Sequence, residues 1–323
     1  MIGVIGAGAW GTALAQAMAS NGEDVVLWAR DPAVADTIND SATNPAYLPG
    51  ITLSPSVRAT SRIGDLAAAE AWLVVTPAQA MGEVLRTAPA GDQPLILCCK
   101  GIEAGTRRLM SEVAPAARPR SPIAVLSGPT FAHEVAAGLP TAVTLACADP
   151  ALGERLVQRI ARPTFRPYLS DDVVGAEIGG AVKNVLAIAC GVVAGARLGE
   201  NGRASLIARG FAEMSRFGRA RGARESTIAG LSGLGDLVLT CSSQRSRNFA
   251  LGFGIGEGRT AAELLGDRRT VAEGAFTAPV LRAAADEAGI DMPVTAAVCD
   301  LLAGAQAADV IRTLLSRPLR AEA

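Results

Sequence analysis

One histidine, His133, stands in a chain of 323 residues. A metal centre built on several imidazoles is therefore excluded, no metal site is expected, and any Ser-His-Asp or Cys-His relay has to pass through that one ring. Aromatic residues are also scarce, with three Trp, two Tyr and seven Phe, too few for platforms that stack bases. Neither sign of charge prevails: 30 Lys and Arg face 31 Asp and Glu. That balance excludes a nucleic-acid-coating surface, and a hydrophobic half of the composition excludes disorder. Six cysteines (Cys98, Cys99, Cys147, Cys190, Cys241, Cys299) show no CxxC spacing and lie among apolar neighbours, as reduced core thiols do; a cytoplasmic protein is expected. The longest clean apolar run, 185–196, is too short to cross a bilayer, and Met1 runs directly into an apolar tetrad, so no membrane span and no leader are expected.

What is present is a change of pattern partway along the chain. Short β-type runs at 2–5, 25–28, 72–76, 95–99, 123–126 and 142–146 alternate with helical stretches, which predicts a parallel sheet covered by helices. The runs are apolar throughout, as strands buried on both faces are. Beyond about residue 171 they stop, and Ala-rich helix-favouring stretches follow at 171–197, 203–221, 273–288 and 294–315. The fold class is α/β: a Rossmann-type doubly wound domain over 1–170, then an all-helical domain over 171–323. Asp171 and Asp172 suit the N-terminus of the first helix after the break. Gly230 to Gly235 and Gly252 to Gly258 read as glycine-dense loops.

Gly6-Ala7-Gly8-Ala9-Trp10-Gly11 lies between the first β-type run and a helix expected over 12–20, the one context that gives GxGxxG meaning. Gly6 permits the sharp turn, Gly8 lets backbone N–H groups approach a pyrophosphate, and Gly11 lets the helix lie close on the sheet. A bound dinucleotide is the direct implication, against a ligand-free glycine turn. The second run ends Leu27-Trp28-Ala29-Arg30, with arginine where NAD-binding units place an acid. Arg30 suits the 2′-phosphate of NADP; Asp31 beside it offers a ribose partner, so NAD remains open as well.

Four further segments stand out: Cys99-Lys100-Gly101-Ile102-Glu103, Ser127-Gly128-Pro129-Thr130-Phe131-Ala132, Gly180-Ala181-Val182-Lys183-Asn184 and Ser246-Arg247-Asn248. With the glycine fingerprint, and with Pro77-Ala78-Gln79, Gly233 to Leu237 and Val271 to Gly274 in order, the chain resembles the bacterial NAD(P)-dependent glycerol-3-phosphate dehydrogenases along nearly its whole length. The resemblance implies reversible hydride transfer between a nicotinamide and carbon 2 of a three-carbon phosphate, reducing dihydroxyacetone phosphate to sn-glycerol 3-phosphate for glycerophospholipid synthesis.

By that resemblance Lys183 is the catalytic lysine. It is conspicuous in any case, an ammonium inside the apolar run 178–196, where unpaired burial costs several kcal/mol; the alternative is a stem that snorkels to the surface. A free lysine titrates near about 10.4, which suits a proton donor, whereas acting as base near neutrality needs burial or a neighbouring cation such as Lys100. Gly179, Lys183, Ala187 and Gly191 share a helix face. Asp236 matches a substrate-binding carboxylate able to orient Lys183, and competes with a helix N-cap role. Ser246, Arg247 and Asn248 match the run that grips the substrate phosphate. Lys100, Gly128 and Thr130 match substrate contacts past strand ends, with Lys100 and Arg247 also on the cofactor side. Gly6, Gly8, Ala9, Trp10, Gly11, Ala132, Val271 and Glu273 match cofactor contacts. Ala9 departs from the family, which commonly has Ser there, so one side-chain bond to the phosphates is missing. His133 has no matching catalytic role and is expected to cap a helix or make a polar core contact. The Ala-rich helices offer a face for a homodimer. A hydroxy-acid dehydrogenase of the same build, and a nucleotide-sensing regulator that has lost catalysis, are the competing readings.

Overall fold

The computed structural model describes residues 1–266 and 272–318. β1 (Ile2–Ile5) and β2 (Val25–Trp28) form on the two apolar tetrads, and every residue of both is buried. The other strands are β3 (Thr43–Asn44), β4 (Leu48–Thr52), β5 (Val57–Thr60), β6 (Ala71–Val74), β7 (Leu95–Leu97), β8 (Ile123–Ser127), β9 (Thr141–Cys147) and β10 (Phe165–Ser170). Eight make one sheet in the order β10-β9-β8-β7-β6-β1-β2-β5; β3 and β4 form a separate antiparallel hairpin. Successive residues feed opposite faces. Val4, Leu27 and Leu73 enter one core with Leu14, while Ile5, Trp28, Trp72 and Val74 enter the other with Met81.

The sheet is parallel except at one seam, where β9 runs antiparallel to β8. The all-parallel expectation for 142–146 fails there for a topological reason. A parallel return needs a crossover long enough to traverse the sheet, and the connection after β8 carries only a five-residue helix. β1 pairs with β2 on one side and with β6 on the other. The chain direction across the sheet reverses at β1, and such switch points are where doubly wound sheets bind ligands, past the carboxyl ends of their strands.

The covering helices are α1 (Ala9–Met18), α2 (Pro32–Ser41), α3 (Ala78–Thr87), α4 (Met110–Ala117), α5 (Ala132–Ala136) and α6 (Pro150–Ile160). Helices α2 and α6 start in the same way, with Asp31 or Asp149 accepting a first-turn N–H and proline just inside. After Ser170 the regular elements of the described residues are helices: α7 (Val173–Gly195), α8 (Gly199–Ala220), α9 (Glu225–Ile228), α10 (Asp236–Cys241), α11 (Arg247–Gly256), α12 (Ala261–Leu265), α13 (Glu273–Glu287), α14 (Pro293–Leu302) and α15 (Ala307–Leu315), with a π-helical turn at Leu231–Gly235 where a glycine-dense loop was expected. The single stretch expected over 294–315 is two helices, divided at Gly304, whose φ of 99° no helix continues.

Helix α7 is the centre of this half. Asp172 caps it by accepting the Gly175 N–H at 2.8 Å. By length and composition alone the helix is apolar enough to cross a membrane, unlike the shorter run expected, yet 89% of its apolar window is buried inside the protein. Helix α11 crosses it backbone to backbone. A Cβ on Gly191 would lie 2.1 Å from the Phe249 carbonyl oxygen, and one on Gly252 would lie 1.9 Å from that of Ile188. Gly252 to Gly256 is therefore helix and not the loop its glycines suggest; glycine is there because two helices touch. The crossing brings Asn248, in the first turn of α11, against Asn184, the neighbour of Lys183 in the chain.

Candidate active site

The glycine fingerprint has the conformation its spacing requires. Gly6 adopts φ 116°, and a Cβ there would meet the Val75 carbonyl oxygen at 2.9 Å. Gly11 lies so close to the strand end that a Cβ would fall 1.8 Å from the Gly6 carbonyl oxygen, whereas a Cβ on Gly8 would meet nothing within 4 Å. Helix α1 starts at Ala9, three residues earlier than expected, with no side-chain cap and no acid in its first turn. Its N-terminal N–H groups thus face open space, a ready anion site. Two buried polar atoms beside it, Trp10 Nε1 and Thr76 Oγ1, have no hydrogen-bond partner among the described residues. Open room above Gly8, an uncapped helix start and orphaned donors all fit a dinucleotide. Arg30 is exposed just past β2, while the Asp31 carboxylate caps α2 through the Ala33 N–H at 3.0 Å.

The helical half brings its cation to the same end of the sheet. Lys183 is 5% exposed and Asp236 fully buried, which disposes of the snorkelling alternative. Lys183 Nζ donates to Asp236 Oδ1 at 2.5 Å and to Thr240 Oγ1 at 3.1 Å. Lys100 Nζ, from the loop after β7, donates to the other carboxylate oxygen, Oδ2, at 2.7 Å. Asp236 is the first residue of α10, and its side chain makes no cap bond to that helix; the N-cap alternative fails because both oxygens are held by lysines. Two lysine amines thus share one carboxylate at the strand ends. Burial first, and the Lys100 cation to a smaller degree, bring the Lys183 pKa down to about 7 against the attraction of Asp236.

Around this triad lie most of the other expected residues. Gly128 is in the positive-φ region, at 153°, with a Cβ there meeting Val143 Cα at 2.9 Å. Thr130 Oγ1 donates to the Gly128 carbonyl at 3.2 Å. Ser246 caps α11, accepting the Phe249 N–H at 3.3 Å, and Arg247 next to it is exposed. The Asn248 amide is held on both sides: Nδ2 donates to Asn184 Oδ1 at 3.0 Å, and Oδ1 accepts the Gly274 N–H at 2.9 Å. Glu273, the first residue of α13, accepts a hydrogen bond from the Ala78 backbone, and burial raises its pKa against the charges of Arg247, Lys100 and Lys183. Ala132 opens α5, partly exposed. Val271 lies outside the described residues. His133 is exposed on α5, neither a cap nor a core contact, because the helix turns that position to solvent.

Thr240 and Asn184 touch the candidate site without having been given a role from the sequence, although Asn184 closes the segment 180–184 that stands out there. Thr240 follows Asp236 by one helical turn, so the spacing was the only signal; Asn184 acts through a residue 64 positions away, which no local pattern reveals. Among the described residues no group of three or more His, Cys, Asp or Glu side chains is placed to hold a metal ion.

The comparisons agree with the geometry. Family models for the N-terminus and C-terminus of NAD-dependent glycerol-3-phosphate dehydrogenase match residues 1–153 and 172–312. The glycerol-3-phosphate dehydrogenase [NAD(P)+] of Erythrobacter litoralis is 63% identical over 321 residues, covering 99% of this chain and 97% of its own. That of Rhodospirillum rubrum is 58% identical over 326 residues, covering 99% and 93%. The crystal structure of glycerol-3-phosphate dehydrogenase from Coxiella burnetii superposes with a TM-score of 0.93 at 37% identity, covering 98% of both chains. With cofactor cleft, buried lysine and these relatives in agreement from end to end, the chain belongs to the NAD-dependent glycerol-3-phosphate dehydrogenase family.

Proposed function

We propose that this chain reduces dihydroxyacetone phosphate to sn-glycerol 3-phosphate, reversibly, with Lys183 as the proton donor and acceptor. The nicotinamide of a bound dinucleotide supplies the hydride. The chain's own residues do the rest. Gly8 and the α1 N-terminus would receive the pyrophosphate, Trp10, Ala132 and Glu273 would line the cofactor, and Arg30 would take a 2′-phosphate, making NADP the preferred form and NAD an accepted one. Asp31 is already engaged as a helix cap, which favours the arginine as the ribose-side determinant.

At the reacting carbon, negative charge grows on the carbonyl oxygen as reduction proceeds. The Lys183 ammonium donates a hydrogen bond to that oxygen and then its proton; in the oxidative direction the neutral amine takes the proton back. Asp236 holds the amine in place through Oδ1, and Lys100, on Oδ2, keeps that carboxylate from neutralising the site. Gly128 and Thr130 with Ser246, Arg247 and Asn248 form the substrate wall, Arg247 offering its planar fork to the phosphate. The observation that carries this assignment is the buried Lys183–Asp236–Lys100 arrangement at the carboxyl ends of the strands.

The test is direct. Purified protein mixed with dihydroxyacetone phosphate and NADPH or NADH is followed by nicotinamide absorbance. Substrate-dependent oxidation is expected, faster with NADPH; none with either cofactor removes the activity, and cofactor binding without turnover favours the regulator instead.

A further inference from the structure

The hairpin β3–β4 stands apart from the main sheet and has no part in the chemistry described above. Its residue Asn44 is nonetheless 2% exposed, a polar side chain buried against the glycine loop. Asn44 Nδ2 donates to the Ala7 carbonyl oxygen at 3.0 Å and to Thr12 Oγ1 at 2.8 Å. Thr12 Oγ1 donates to the same Ala7 oxygen at 3.3 Å. One carbonyl thus receives two side-chain donors, from opposite sides of a sequence gap of more than thirty residues.

That carbonyl shares its peptide unit with the Gly8 N–H. A trans peptide is planar, and its N–H points away from its C=O. Holding the oxygen inward with two buried donors therefore turns the Gly8 N–H outward, to the side where a Cβ on Gly8 would meet nothing within 4 Å. Gly8 follows Gly6, at φ 116°, and glycine backbone is free enough that this plane needs an external hold. Donation to the carbonyl also polarises the amide, which strengthens its N–H as a donor. We propose that Asn44 is a positioning residue for the dinucleotide: it pre-sets the Ala7–Gly8 peptide so that the Gly8 N–H meets the pyrophosphate without reorganisation. The hairpin is fixed for the task by Leu48, buried in the core beneath it, and by the Leu53 N–H, which donates to the Ala42 carbonyl at 2.7 Å.

This proposal rests on the dinucleotide reading of the cleft, and the experiment separates the two. NADPH dissociation constants are measured by nicotinamide fluorescence for the wild type, Asn44→Ala and Asn39→Ala, together with the KM for dihydroxyacetone phosphate at saturating NADPH. Asn39 is the control, because it clasps the Ala59 backbone in a similar way at 3.0 and 2.9 Å, away from the loop. Asn44→Ala is expected to weaken NADPH by about tenfold, the loss of one to two buried hydrogen bonds, with the substrate KM unchanged within about twofold. Asn39→Ala is expected to lower the melting temperature and leave NADPH binding as it was. A folded Asn44→Ala protein that binds NADPH like the wild type overturns the proposal, as does equal weakening by Asn39→Ala. Should Asn44→Ala fail to fold, Thr12→Val, which removes the second donor, is read instead: weakened NADPH supports the proposal and unchanged NADPH overturns it. Failure of the wild type itself to bind NADPH would strike the cofactor reading and not the role of Asn44.

Discussion

The proposed role of Lys183 sets opposite demands in the two directions of one reaction, and its surroundings serve both. Burial and, to a smaller degree, Lys100 bring its pKa down to about 7 against the pull of Asp236. Reduction needs the ammonium, so its rate falls as pH rises through that pKa; oxidation needs the amine, so its rate falls as pH drops through it. The neighbours then predict two opposed displacements. Asp236→Asn removes the charge that favours the ammonium, and the falling limb of kcat/KM for reduction is expected at lower pH. Lys100→Met removes the competing cation, and the same limb is expected at higher pH. A pH–rate series on both variants checks the signs, and movement of both in one direction contradicts the arrangement. Lys183→Met is expected to cost about 10²–10⁴-fold in kcat, the range of a lost general acid, with NADPH binding retained. At the far end of the cleft, Arg30→Asp is expected to turn the preference from NADPH toward NADH, measured as the ratio of kcat/KM values; an unchanged ratio removes Arg30 from the 2′-phosphate.

Elements bring these residues together, and there the glycines of α7 and α11 decide. A Cβ on Gly252 would need the space of the Ile188 carbonyl, so Gly252→Ala is expected to destabilise the protein by about 1–3 kcal/mol through overpacking and to lower activity, because the same crossing sets Asn248 against Asn184. Gly64→Ala, with open space around it, is the matched control, expected within about 0.5 kcal/mol of the wild type in urea unfolding. The same glycines show where sequence pattern stops being informative: without sight of the partner helix, Gly252 to Gly258 reads as a loop. The buried strands were legible because continuous apolar tetrads have few other uses, and β1 and β2 begin and end where expected. The strands missed from the sheet, β5 and β10, are its two edges. β5 carries Arg58 among alternating residues, and β10 carries Pro167 and is largely exposed, so neither shows the apolar run of a buried strand. In the site, Lys183 was legible as a charge in an apolar helix, and Asp236 from the family-like segment around it. Thr240, Asn184 and Asn44 take their roles from tertiary approach, and ordinary polar residues carry no mark of it.

Across the whole molecule the buried charges make stability depend on pH in a way unrelated to catalysis. Glu213 on α8 is 1% exposed and accepts the Val294 N–H at 2.6 Å and the Thr295 N–H at 3.1 Å, capping α14 from another helix. Burial raises its pKa to about 7 despite those bonds, and Glu177, which accepts from Ser111, is raised to about 7 as well. A carboxyl whose folded pKa lies above its unfolded value binds more protons in the folded state. Its contribution is complete below the ordinary glutamate pKa, 4.5, and is lost as pH rises through the folded value. Lys183 acts in the opposite sense at higher pH, since the unfolded chain holds its proton longer, so the raw stability curve mixes both signs. A difference measurement isolates one. Glu213→Gln keeps an acceptor for α14, cannot titrate and lies outside the lysine–aspartate site. Whatever its cost at acid pH, the variant is expected to gain on the wild type by on the order of 1 kcal/mol per pH unit toward neutrality, then to run parallel with it above the folded pKa. Urea unfolding of both proteins at half-unit steps of pH measures that difference. A gap that stays constant from pH 4.5 to 7 means that Glu213 keeps its charge in the core, and that the donors at the start of α14 outweigh its burial.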